Sequence, residues 1–329
     1  MRQHLVRFIS LVAIMGLLLS ACDEALPEPQ QPDQGRPKPG ADQITDQPAQ
    51  PDAPAATRPA VAPLPAGEET EWLIMMYQDA DDQILEQDIL TDFNEAERVG
   101  STDQVRIVSQ LDRYKGAYKG MGNWTSAKRF LITQDDDLNE IGSEELADLG
   151  EINMADGDTL VDFITWAVET YPAQKYALIL SDHGAGWPGG FSDPAPKGLG
   201  VDDIVLAEAF GVDNLWLMEI NRSLEKARQA TGIDKFELLG FDACLMSQVE
   251  VMTMVAPHAK YAVASEEVEP ALGWAYTEFL AQLAADPAMG GDQLARHIVN
   301  SYIDQDQLIV DPEARRALVK REFDVTDEV

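Results

Sequence analysis

FELLGFDAC, residues 236–244, is an apolar run of strand length, interrupted only by Glu237, that ends on Asp242, Ala243 and Cys244. Apolar side chains at both odd and even positions fit a strand covered on both faces, the habit of parallel sheets. YALILSDHG, residues 176–184, repeats the pattern and ends on His183 and Gly184. WLIMMY (72–77), VRIVSQL (105–111) and YAVA (261–264) supply three more strands. Helical stretches lie between them. They comprise an acidic one over 82–98, one capped by Asp156 or Asp158 with Leu160, Phe163, Ile164, Ala167 and Val168 on its apolar face, one over 215–230, and one over 245–255 directly behind Cys244. Residues 118–133 predict a hairpin. Strands alternating with helices predict an α/β sandwich around a largely parallel sheet, whose ligands gather at the carboxyl ends of the strands. His183 and Cys244 both stand at such ends.

The rest of the chain is organised around that unit. With 58 acidic and 24 basic residues among 329, the net charge of -34 repels nucleic-acid phosphate, attracts cationic ligands and favours solubility. Arg2 and Arg7 precede a short apolar run over 8–19, the layout of a secretory leader, and LSAC (19–22) resembles the lipobox of bacterial lipoproteins, which implies lipidation of Cys22. Residues 22–70 are dominated by Pro, Gln, Asp and Ala and read as a disordered tether. The expected division is a signal peptide over 1–21, the tether over 22–70, a catalytic domain over 71–305, and a charged tail or truncated continuation over 306–329.

The two cysteines have different settings, which argues against a bridge between them and leaves Cys244 for chemistry. A thiol attacks a carbonyl as thiolate, and a helix beginning at residue 245 would favour that anion. His183 titrates near neutrality and can protonate a leaving amine, while the backbone N–H groups of Gly184 and Cys244 can hold an oxyanion. Asp182 adjoins the histidine, but successive strand side chains point to opposite faces, which argues against it as an orienting partner. Asp242, two residues before Cys244, projects to the same side and can meet a cationic substrate side chain.

Several motifs, in order from 71 to 303, resemble the clostripain-like cysteine peptidases: MYQDADD (76–82), NMADGDTL (153–160), SDHGAGW (181–187), FDACLM (241–246), and SEEVEP (265–270) with Gly273 and Trp274. The resemblance implies a caspase-like α/β/α sandwich, a Cys244–His183 dyad, and peptide cleavage through an acyl-enzyme after Arg or Lys. It also implies a pocket lined by Asp242 with help from Glu266 or Glu267. Related enzymes process themselves in the loop after the histidine motif. Lys197, the only basic residue between His183 and Arg222, is the expected autocleavage site. No cofactor is required on this reading. Some relatives depend on calcium, for which Asp79, Asp81, Asp82 and Asp135 to Asp137 offer oxygen ligands, although no spacing matches an EF-hand loop. The expected partners are peptides or proteins with Arg or Lys, and the membrane through Cys22. The competing reading is a catalytically inactive surface lipoprotein that uses the same fold to bind cationic peptides.

Overall fold

The structure, a computed structural model, describes residues 70–194 and 213–323. The chain runs through β1 (Thr70–Ala80), α1 (Glu86–Glu97), β2 (Val105–Arg113), β3 (Ala127–Leu131), β4 (Glu144–Gly150), α2 (Gly157–Thr170), β5 (Ala173–Ser181) and β6 (Gly189–Asp193). It continues with β7 (Asp213–Trp216), α3 (Leu217–Thr231), β8 (Phe236–Asp242), α4 (Val249–Val255), β9 (Ala259–Ala264), α5 (Tyr276–Ala285), α6 (Gly291–Ser301), α7 (Gln307–Val310) and α8 (Pro312–Phe323). A seven-stranded sheet has the order β4-β3-β2-β1-β5-β8-β9, and β6 pairs with β7 in a separate ribbon. The pairs β1–β2, β1–β5, β5–β8 and β8–β9 are parallel.

The unbroken apolar runs arise because each strand feeds two cores. Leu73, Met75 and Tyr77 of β1 join Leu160 and Phe163 of α2 on one face, while Trp72, Ile74 and Met76 join Phe93 of α1 and Phe279 of α5 on the other. The period-2 alternation of a strand sends neighbouring residues into opposite layers, so both must be apolar. Truncating a fully buried aromatic such as Phe163 to Ala is expected to cost about 3–5 kcal/mol. This is the α/β/α sandwich that the sequence predicts.

Two local expectations are revised. Residues 118–133 do not form a hairpin of their own; β3 pairs antiparallel with β2 on one side and β4 on the other. The helix behind Cys244 starts at Val249, because Leu245 takes φ +64 and the N–H groups of Leu245 and Ser247 bond the carbonyls of Glu267 and Ser265 instead of starting a helix. Cys244 therefore lies five residues ahead of the helix, outside the reach of its dipole. In the segment after 305, Asp306 and Gln307 are buried and the Gln307 N–H donates to Glu95 Oε1 at 2.6 Å. The Asp156 cap stands as expected, with its side chain accepting from the Asp158 N–H.

Candidate active site

β5 and β8 are parallel neighbours with Ser181 opposite Asp242, so the residues that follow each strand emerge side by side. This register brings His183 and Cys244 into one cleft, whose wall also includes Asp92, Asp182, Asp242 and Glu269. The backbones after the two strands touch. A Cβ built on Gly184 would fall 2.1 Å from the Cys244 carbonyl oxygen and 3.0 Å from its nitrogen, so only glycine fits at 184. Cys244 is 7% exposed, and its Sγ accepts the Glu269 N–H at 3.4 Å, a contact that favours the anionic sulfur. This backbone donor is the local support for a thiolate that a helix start was expected to provide.

The partner of the histidine is Asp82, which the sequence offered only as a metal ligand. His183 Nε2 lies 3.4 Å from Asp82 Oδ1, and the same oxygen accepts the N–H groups of Ile84 and Leu85 at 2.7 Å each, which fixes the carboxylate ahead of α1. Burial alone would lower the imidazole pKa. The Asp82 contact and the charges of Asp182, Asp82 and Cys244 overcome it and raise His183 to about 9. Asp82 moves the other way: burial opposes its charge, but His183 and the two backbone donors hold it below the usual carboxylate range. Asp182 is turned to the Ser192 N–H, which its Oδ2 accepts at 2.6 Å, and burial raises it to about 7.

Asp242 lines the cleft, with its Oδ2 accepting the Tyr276 hydroxyl at 2.9 Å and the Trp274 N–H at 3.3 Å. Burial raises it to about 7 against those two bonds. Glu266 and Glu267 stand exposed and outside the lining of the cleft; Glu269 occupies the wall instead, raised to about 9 by burial and then by the charge of Asp242. Glu269 belongs to the same SEEVEP motif, but alternation along an irregular loop gave no means of telling which of its carboxylates turns to the cleft. Asp92, on α1, is a further acid in the wall that the sequence did not single out.

The calcium candidates do not assemble. Asp79 and Asp81 are buried, Asp82 is committed to His183, and Asp136 and Asp137 are exposed on a loop. Among the described residues no three His, Cys, Asp or Glu side chains converge to hold a metal ion. Cys22 and Lys197 lie outside the described residues. Among the described residues no helix is long and apolar enough to cross a membrane.

The sequence profile of the clostripain family matches residues 76–313. Clostripain of Hathewaya histolytica is 29% identical over 228 residues, which cover 64% of this chain and 42% of the relative, so the match spans less than half of that protein's length. A secreted C11 cysteine protease from Bacteroides thetaiotaomicron, solved with an irreversible peptide inhibitor, shares the fold with a TM-score of 0.53 at 23% identity, over 71% of this chain and 59% of that one. The profile takes in β2 to β9, most of both cores and every residue lining the cleft, and on that match the chain belongs to the clostripain family.

Proposed function

We propose that the protein is a cysteine endopeptidase that cleaves after Arg or Lys, with Cys244 as nucleophile and His183 as acid and base. The observation that carries the reading is the single cleft in which a thiol contacting a backbone donor, a carboxylate-held histidine and four further acids meet at the carboxyl ends of adjacent parallel strands. The thiolate of Cys244 adds to the scissile carbonyl carbon, and the charge that moves to oxygen is met by the backbone N–H groups of Gly184 and Cys244. His183 donates its proton to the departing amine as the C–N bond breaks, leaving a thioester on Sγ. Water, losing a proton to His183, then adds to the thioester, and expulsion of sulfur restores the enzyme. Asp82 holds Nε2 and so presents Nδ1 to the reacting atoms.

Asp242, Asp92 and Glu269 explain the choice of a cationic side chain, since buried acids without a cation favour a positive guest. Cys244→Ala is expected to lose turnover of an Arg-linked fluorogenic peptide completely; retained hydrolysis refutes the assignment. Undiminished activity in excess chelator checks that no metal is required. We further propose anchoring through lipidated Cys22, tested by fatty-acid labelling that Cys22→Ser abolishes, and self-cleavage after Lys197. Intact-mass analysis tests the latter: fragments ending at Lys197 are expected in the wild type and absent from Cys244→Ala, while an uncut, fully active wild type refutes processing.

A further inference from the structure

The loops that follow β5 and β8 stay together beyond the catalytic pair. Gly184 packs on the backbone of Cys244, and two residues further on the chain turns at Gly186, which has φ +71. The next residue, Trp187, donates its N–H to Gln248 Oε1 at 3.0 Å, four residues beyond the nucleophile. The turn is tied down on its other side as well. The Gly189 N–H bonds the Gly186 carbonyl at 2.9 Å, the Ala185 N–H bonds that of Gly189 at 2.8 Å, and the Leu217 N–H, at the start of α3, bonds that of Pro188 at 3.0 Å. At the tip of this secured turn Trp187 is 60% exposed, whereas the other five tryptophans are buried or half-buried. Val249, which follows Gln248, is a second exposed apolar side chain beside the residue that holds the tip. A large apolar surface kept in water on a rigid turn next to a reactive thiol is the habit of a binding site.

The turn and the acids of the cleft are fastened to opposite layers of the sandwich. Asp92 stands on α1, Asp242 accepts from Tyr276 and Trp274, and Glu269 accepts from Trp274, whose ring packs in the core shared with α1 and α5. Phe191, Leu215 and Leu217, which carry the Trp187 turn, belong to the core shared with α2 and α3. His183 and Cys244 stand between the two. A peptide whose basic residue meets the acids therefore leads, past the scissile bond, toward Trp187, four residues along from the histidine that hands a proton to the departing amine. Resting on the peptidase reading of this cleft, we propose that Trp187 is a platform for the leaving-group half of the substrate and selects an apolar side chain among the first three residues after the scissile bond. An indole offers a broad, stiff apolar face, which leaves water when such a side chain covers it. Because the leaving peptide has departed once the thioester forms, the platform acts on acylation and not on the hydrolysis that follows.

Two kinds of substrate that share every residue up to a single arginine isolate this role. One ends there in an ethyl ester, with no side chain beyond the bond. The other is an internally quenched peptide that continues through three residues, with Leu or Ser placed at each in turn among glycines. The wild type is expected to cleave the best Leu peptide with a kcat/KM at least about fivefold above that of its Ser counterpart. Trp187→Ala should erase that ratio by lowering kcat/KM for the Leu peptide about fivefold, while changing the ester less than about twofold, and Trp187→Phe should restore most of the preference. The ester doubles as the check on folding. A wild type without the leucine preference, a preference that survives Trp187→Ala, or equal losses on ester and peptide in both variants overturns the proposal while leaving the cysteine peptidase in place. If the wild type cleaves neither kind of substrate, the peptidase reading falls and this proposal with it.

Discussion

Two groups of buried acids lie within the same fold and have different consequences. At the ends of β1, β2 and β6, Asp79, Asp112 and Asp193 are sealed: none is more than 1% exposed, and each has one oxygen without a donor. Burial, followed by the charge of Asp193, raises Asp79 and Asp112 well above the carboxylate range, and burial raises Asp193 to about 8. Asp92, Asp242 and Glu269 are similarly desolvated but line a cleft beside a thiol. Both groups have unmet acceptors, and only the second has a route by which a large cation could reach them. Access separates an acid that folds as a neutral hydrogen-bonding group from one that can recognise a guest.

The largest effect should come from removing a charge on the accessible side. Asp242→Asn is expected to lower kcat/KM for Arg and Lys peptides at least about 100-fold, as removal of a buried ionic contact does, while alkylation of Cys244 changes less than about threefold. Asp79→Asn should leave the same kcat/KM within about threefold. Similar losses from the two variants would erase the distinction between the groups.

A smaller effect is expected at the edge of the cleft. Asp82→Asn should lower kcat about 10- to 100-fold with little change in KM, because it removes the contact that orients His183. It should also move the alkaline limb of the pH profile downward from about 9, since Asp82 is the first of the groups that raise His183. A drop in kcat with the limb unmoved would mean that Asp82 acts only by holding the turn before α1.

The smallest effect is on stability and belongs to the sealed group. Asp79, Asp112 and Asp193 have folded values above the unfolded value of about 4, so the folded state holds the extra protons. Their contribution is complete below about pH 4 and is lost as pH rises through the folded values, near 8 for Asp193. His183, raised to about 9, acts in the same direction over a more alkaline range. The melting temperature should therefore rise by several degrees between pH 8 and pH 5, and Asp79→Asn should stabilise at pH 8 more than at pH 5. A melting temperature that falls on the same acidification would show that these carboxylates are charged in the folded protein.

The sequence carried the architecture because β1, β5 and β8 each serve two cores, and their continuous apolar runs, ending in His183 and Cys244, could scarcely be read otherwise. It was silent where structure depends on distant partners. EELADLG, the strand β4, is mostly exposed and acidic and carries no strand pattern; it is held by pairing with β3. The late start of α4 follows from the positive φ of Leu245, and apolar periodicity does not reveal a backbone angle. Asp92 on α1 and Glu269 after β9 line the cleft, and Asp82 meets His183 from the turn before α1, so no local spacing could have joined them to Cys244.

The ribbon of β6 and β7 is secured on both strands: Asp193 accepts the Met154 N–H, and Asp213 Oδ2 accepts the Asn153 amide at 2.8 Å. The two strands of the ribbon are thus anchored to the domain, and β5 and β8, which flank the ribbon in sequence, are parallel neighbours in the sheet. Breaking one peptide bond between β6 and β7 would remove no rung between β5 and β8, and each described core would then draw residues from both chains. The product would be a complementing pair of chains, one particle on gel filtration and two bands on a denaturing gel. Its unfolding would become bimolecular in reverse, so its melting temperature should climb with protein concentration, unlike that of the uncut chain.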